Sequence, residues 1–256
     1  MRLNRFLFVC TIFWAATAGL SSCRSQRNIT IAGSRIEMTV EWDSVPNPKA
    51  MALFAPYKAK VDSVMNPVIG VSAMDMTAER PESLLSNLIA DVLRNSTTPY
   101  IDRPADVAVI NMGGLRNSLG AGEVTYRNVY EILPFENALC ILSLRGKDVK
   151  ELMRDIMKTG GEGLSNVYLT VNKDMDIVDI RIGKDAIDDE RLYQVATVDY
   201  LAEGNDRMTA FKKAEKRLCF KEATIRDLFI EYVKSETAEG RSLTSQKDGR
   251  VVITDN

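Results

Sequence analysis

The run Val107-Ala108-Val109-Ile110, followed at once by Asn111-Met112-Gly113-Gly114, constrains this chain more than any other stretch. Four consecutive apolar residues predict a buried strand. The strand must stop at Asn111, and Gly113-Gly114 then allow a tight turn and a close approach of backbone to a ligand. Arg116 follows with a rigid five-donor fork suited to a carboxylate or phosphate. Taken alone, Gly-Gly after a strand is a turn more often than a site, so the weight falls on what surrounds it.

Alternating polar and apolar residues from Arg35 to Trp42 predict a half-buried strand. Asn47-Pro48 opens a helix carrying Met51, Leu53, Phe54, Tyr57, Val61 and Val64, which ends before Asn66-Pro67. Val68–Val71 reads as a short strand. Glu82–Leu93 reads as an amphipathic helix with Leu84, Leu85, Leu88, Ile89, Val92 and Leu93 on one face. Beyond the Gly-Gly loop the pattern gives a strand at Gly122–Thr125, a short helix at Tyr126–Ile132, a strand at Asn137–Leu144 and a helix at Gly146–Met157. Strands near 167–171, 177–182 and 193–198, a helix at Thr224–Lys234 and a strand at Arg250–Thr254 complete it. Helices and strands mix without strict βαβ alternation, which predicts an α+β fold with mixed sheets flanked by helices.

Composition narrows function. The 256 residues are 45% hydrophobic and 27% charged, enough for a sizeable core. A formal charge of −2 gives no footprint for a nucleic acid. The chain has no histidine. Imidazole is the commonest metal ligand and the usual general base near neutral pH, so a histidine-built two-metal hydrolase cannot be assembled from these residues alone.

The first 22 residues read as a lipoprotein signal peptide. Arg2 and Arg5 form a basic start, Phe6–Gly19 is apolar but short for a membrane span, and Leu20-Ser21-Ser22-Cys23 resembles a lipobox. Cleavage before Cys23 with lipidation of that residue is expected, and removing Arg2 and Arg5 moves the formal charge from −2 to −4. The expected location is the cell envelope, with the chain lipid-anchored to a membrane. Residues 23–48 then form a tether with the N-terminal strand, and 49–256 the folded domain. Cys140 and Cys219 remain, and the sequence allows either a disulfide or two buried free thiols.

Three segments in order carry a resemblance: Asn111 to Arg116, Pro134 to Asn137 followed by Leu144-Arg145-Gly146, and Tyr200 to Asp206. They resemble the C-terminal, substrate-binding domain of the 5′-nucleotidases, whose pattern is N-G-G-G-[IV]-R, then P-F-x-N with L-x-G, then [FY]-x-x-x-G-G-D-G. The likeness covers about residues 50–240, and Glu82, Asn87, Leu88, Ile89 and Asp91 match a further family helix. It implies a nucleotide or nucleoside ligand. Phe135 and Tyr200 would sandwich the base and Asp206 would accept the ribose hydroxyls. Arg116 would meet the phosphate, Asn111 would hydrogen-bond base or sugar, and Asn137 would border the base. Arg80 stands one residue out of register with a further phosphate-side arginine. Asn205 and Arg207 occupy positions where the family has glycine, which predicts a reshaped loop around Asp206.

In the full-length family, a metallophosphoesterase domain with two divalent metals precedes this one, and its ligand motifs are not found here. The resemblance therefore implies the substrate-binding half of a phosphoester hydrolase, not catalytic alone. The metals would sit in a separate metallophosphatase chain. A non-catalytic nucleoside- or nucleotide-binding lipoprotein is the second reading.

Overall fold

The computed structural model describes residues 33–37, 39–40, 44 and 46–255. The expected signal peptide and Cys23 lie outside them. The chain divides into two compact units, Met1–Ala52 and Leu53–Asn256. In the first, residues 35–37, 39 and 40 carry no strand, contrary to the alternation there. Period-two patterning makes a strand only where a second strand offers a hydrogen-bonding ladder. Helix α1, Pro48–Met65, starts where Asn47 Oδ1 accepts the N–H groups of Lys49 (3.0 Å) and Ala50 (3.3 Å). Among the described residues no helix is long and apolar enough to cross a membrane.

The second unit follows the periodicities closely. Strand β1 is Val68–Ser72 and helix α2 is Leu84–Asn95. Ser83 and Ser86 cap α2 reciprocally, each side chain accepting the other's backbone N–H. Its Leu85, Leu88, Ile89, Val92 and Leu93 recur three and four apart and are buried. A short α3 (Thr98–Ile101) precedes β2, Val107–Ile110, all four residues of which are buried. β3 (Gly122–Thr125) pairs antiparallel with β1 and leads into α4 (Tyr126–Ile132) through a Thr125–Asn128 capping box. β4 (Ala138–Arg145), α5 (Gly146–Lys158), β5 (Gly163–Ser165) and β6 (Val167–Val171) follow. Then come β7 (Ile177–Ile182), β8 (Asp185–Ala186), β9 (Leu192–Val198) and α6 (Asp199–Ala202). β10 (Lys216–Thr224), α7 (Ile225–Ala238) and β11 (Val251–Ile253) close the chain.

A five-stranded sheet, in the order β10-β4-β9-β2-β5, runs through the core, and a four-stranded sheet β11-β6-β7-β8 stands apart from it. β9 lies parallel to β2 and antiparallel to β4. This pairing has a direct consequence. The C-terminal ends of β2 and β9 and the N-terminal end of β4 all meet one edge of the sheet. The register of β10 on β4 sets Cys219 opposite Cys140, with Cα atoms 4.1 Å apart, and the two form a disulfide. Cys140 is fully buried, whereas Cys219 lies on the exposed outer strand, so the pair is not two buried thiols.

Candidate functional site

The three sequence segments emerge at that common edge. Asn111 follows β2, Phe135 and Asn137 precede β4, and Tyr200 lies in α6 directly after β9. Together with Gly113, Gly114 and Asp206 they line a cavity of ≈ 350 Å³. Phe135 is 48% exposed and Tyr200 42% exposed. Aromatic rings of this size normally bury most of their area, so both offer faces that the protein leaves open.

Asp206 is held from two sides. Asn111 Nδ2 donates to Asp206 Oδ2 (3.0 Å), and the Tyr200 hydroxyl donates to Oδ1 (2.9 Å). That hydrogen bond, reinforced by the carboxylate charge, pushes the Tyr200 phenol above its ordinary range. A carboxylate accepts about four hydrogen bonds, so Asp206 keeps acceptor capacity for hydroxyls of a ligand. The Asn111 amide is oriented by this contact, because turning it would set its oxygen against the carboxylate. Its Oδ1 is then buried with no donor from the protein. A Cβ on Gly114 would stand 2.9 Å from that oxygen, whereas one on Gly113 would meet Asn111 only at 3.8 Å. Glycine at 114 is therefore what lets the Asn111 amide sit there.

The two departures in the Asp206 loop resolve differently. Asp206 (φ 53°), Arg207 (φ 66°) and Gly204 (φ 80°) are left-handed, while Asn205 is not. Asn205 Nδ2 instead donates to the Tyr200 carbonyl (2.8 Å), closing the helix that carries the ring. Arg207 adopts the backbone a glycine would take, at a cost of roughly 1–2 kcal/mol.

Arg116 does not line the cavity. Its exposed guanidinium rests on the Gly113 carbonyl, with Nη1 donating at 3.3 Å. Arg80 is farther from the expected role. It donates through Nη2 to Glu162 Oε1 at 2.6 Å, so its charge is already paired.

Two residues that sequence reasoning passed over shape the site. Glu162 is buried, between α5 and β5, and β5 runs beside β2 with Gly163 opposite Ile110. Its Oε2 accepts the Met112 N–H at the start of the Gly-Gly loop, and its Oε1 also accepts from Thr159 Oγ1 (3.1 Å). Arg226, at the start of α7, donates from Nη1 to the Pro134 carbonyl (3.1 Å) and from Nη2 to Glu136 (3.4 Å). Its guanidinium carbon stands 4.3 Å from the Tyr130 ring centroid. It thus grips the segment on both sides of Phe135. Neither residue carries a local motif.

A larger cavity of ≈ 470 Å³ lies beside Asp91 and Arg250, but its charges close on one another: Arg250 meets Asp91 at 2.7 Å and Asp248 at 2.9 Å. The smaller cavity has the makings of a binding site: two open ring faces and a carboxylate with spare acceptor capacity.

The comparisons with known proteins agree on the domain. Residues 63–213 match the family model described as "5′-nucleotidase, C-terminal domain". A cell wall protein of Listeria monocytogenes, Lmo0130, is 27% identical over 235 residues, 81% of this chain and 29% of its own length. Protein UshA of Escherichia coli is 26% identical over 166 residues, 62% of this chain and 30% of its own. The crystal structure of a 5′-nucleotidase precursor from Thermus thermophilus superposes with a TM-score of 0.72 at 25% identity, covering 81% of this chain and 43% of that one. The chain thus spans less than a third of these two curated relatives. With the α+β architecture common to this chain and the Thermus structure, it belongs to the 5′-nucleotidase C-terminal domain family.

Proposed function

We propose that this chain is the nucleotide- or nucleoside-binding half of a 5′-nucleotidase-type phosphoester hydrolase, working with a separate metallophosphatase chain in the cell envelope. The observation that carries the reading is the cavity between Phe135 and Tyr200 with Asp206 at its side. A nucleobase offers a flat π face to two aromatic rings, at roughly 1–3 kcal/mol per stack by analogy with nucleic-acid stacking. Ribose hydroxyls suit the remaining acceptor sites of Asp206, and Asn111, which lines the cavity, stands beside base or sugar. Asn137 borders the base. The lining residues supply binding groups, not a nucleophile with a base beside it.

Hydrolysis of a phosphomonoester has one of the highest uncatalysed barriers known. Two bridging metals would generate the nucleophile and clamp the phosphoryl oxygens, and a sequence without histidine is a poor source for them. The Listeria relative is named a cell wall protein; this and the lipobox-like Cys23 support an envelope location with a lipid anchor at Cys23.

Titration calorimetry with the purified domain tests the ligand: adenosine-type compounds should bind, and Phe135→Ala or Tyr200→Ala should each cost about 1–3 kcal/mol. No binding at millimolar concentration removes the site. The chain with Mn²⁺, Zn²⁺ or Co²⁺ should not hydrolyse nucleoside 5′-monophosphates, and adding the metallophosphatase chain should produce turnover dependent on Phe135. Metal-dependent turnover by the isolated chain refutes the split. The second reading, a non-catalytic nucleoside-binding lipoprotein, draws on two observations: Arg116 stands outside the cavity lining, and Arg80 is paired with Glu162. Arg116→Ala separates the two. A loss of nucleotide but not nucleoside affinity favours the hydrolase half.

A further inference from the structure

α1 forms where the sequence places a helix, but its apolar face does not turn inward. Leu53, Phe54, Tyr57, Val61 and Val64 recur three and four apart along it and so share one face. Helices of globular proteins turn such a face inward. Here no residue of the helix is buried; Phe54 is 62% and Tyr57 69% exposed. The helix is nonetheless held in place. Arg127 of α4 donates to Asp62 (2.7 Å) and to Asn66 (3.0 Å), fixing its last turn to the domain. Phe54, Tyr57 and Val61 thereby form one wall of an open groove of ≈ 530 Å³ that Arg127 helps close. A contiguous apolar surface held open by polar anchors is the usual mark of a docking face.

We propose that this stripe is where the separate metallophosphatase chain docks, an inference that rests on the split-hydrolase reading above. Two observations select that occupant. First, the Listeria and Escherichia coli relatives carry this domain on chains of which the matched part makes up 29% and 30%, so in them it has further protein attached. The matched family is a C-terminal domain, and the match begins at residue 63, inside the last turn of α1. The stripe therefore lies at the border where, in the relatives, the rest of the protein joins. Second, α1 carries Lys49, Lys58 and Lys60 against one carboxylate, Asp62. A two-fold contact between copies would bring this basic helix against itself, so the fitting partner is a different chain, apolar at the centre of its face and acidic at the rim. Docking here would let a lipid tether on each chain raise the effective concentration, so the contact need not be tight.

The test uses the full chain in its own bacterium. A photoreactive phenylalanine analogue replaces Phe54 or Tyr57, and Val178, exposed on β7, is the control position. After irradiation, positions 54 and 57 should crosslink to a metallophosphoesterase chain identified by mass spectrometry, and position 178 should not. Phe54→Glu and Val61→Glu should lower the nucleotidase activity of the mixed chains at least tenfold at limiting concentration, with recovery at excess. Adenosine affinity should stay unchanged in both variants, which also shows that they fold. Crosslinks only to lipid, to a second copy, to an unrelated protein or to nothing overturn the proposal, as does a phosphoesterase crosslink from position 178 alone. The split reading fails separately: envelope nucleotidase activity that survives deletion of this chain refutes it wherever the crosslinks fall.

Discussion

Glu162 gives the sharpest test of how the site is held. Its carboxylate accepts from Arg80 (2.6 Å), from Thr159 (3.1 Å) and from the Met112 N–H, and it is 3% exposed. In Glu162→Gln one oxygen becomes a donor. The amide will turn its oxygen to Met112, because that N–H is buried and has no water to turn to, and will give up Arg80. The Arg80 side chain is 41% exposed and rehydrates when released, so its loss is discounted for solvent screening to about 1 kcal/mol. Glu162→Ala allows no such choice. It strands the Met112 N–H at about 1–3 kcal/mol, gives up Arg80 and Thr159 as well and leaves a small void, for about 3–4 kcal/mol in all. The expected order is therefore wild type, then Gln about 1 kcal/mol below, then Ala about 2–3 kcal/mol below Gln. Urea denaturation with unchanged slopes measures it. Adenosine titration should follow the same order, since a freed Met112 loosens the loop that holds Asn111. Equal losses for Gln and Ala, or an Ala variant within about 0.5 kcal/mol of wild type, would refute the view that this carboxylate anchors the Gly-Gly loop through Met112.

Gly114→Ala should lower adenosine affinity on the order of tenfold, ~1.4 kcal/mol, because its Cβ would press on Asn111 Oδ1 at 2.9 Å; Gly113→Ala, at 3.8 Å from Asn111, should leave that amide in place. Calorimetry on the pair decides, and equal effects defeat the argument. Arg207→Gly should raise stability by about 0.5–1 kcal/mol, the relief of a left-handed side chain less the extra entropy of an unfolded glycine; thermal denaturation showing a loss contradicts it. Tyr200 should ionise above the ordinary tyrosine range, and Asp206→Ala should bring it back down, read as phenolate absorbance. The sign follows from the proton being held more tightly in the folded state. That stabilisation is complete below the ordinary tyrosine range and fades as pH rises through the raised Tyr200 midpoint. Replacing Cys140 and Cys219 together with alanine should cost about 2–4 kcal/mol in urea denaturation, and no change would place the covalent link outside the stability of the sheet.

Local rules made much of this protein readable in advance. Periodicity located α2, α4, α5 and α7, because a buried helical face repeats every three or four residues whatever it packs against. The run at 107–110 announced a buried strand, and three short segments announced the family. The same rules promised a strand at 35–42 where the described residues have none, and passed over β10, whose charged and apolar residues mix without clean alternation because an edge strand buries little of itself. Which segments meet was decided by pairing alone. Asn111, Phe135 and Tyr200 share a cavity because β2 and β9 run parallel and β4 opposes them. Cys140 meets Cys219 because the register of β10 on β4 puts them opposite. Glu162 and Arg226 hold the site through contacts that span 50 to 92 residues of chain, and Arg80 is drawn to Glu162 across 82. Such contacts leave no trace in local sequence. A hydrogen bond needs its partner within about 3 Å, and only the folded chain fixes that distance.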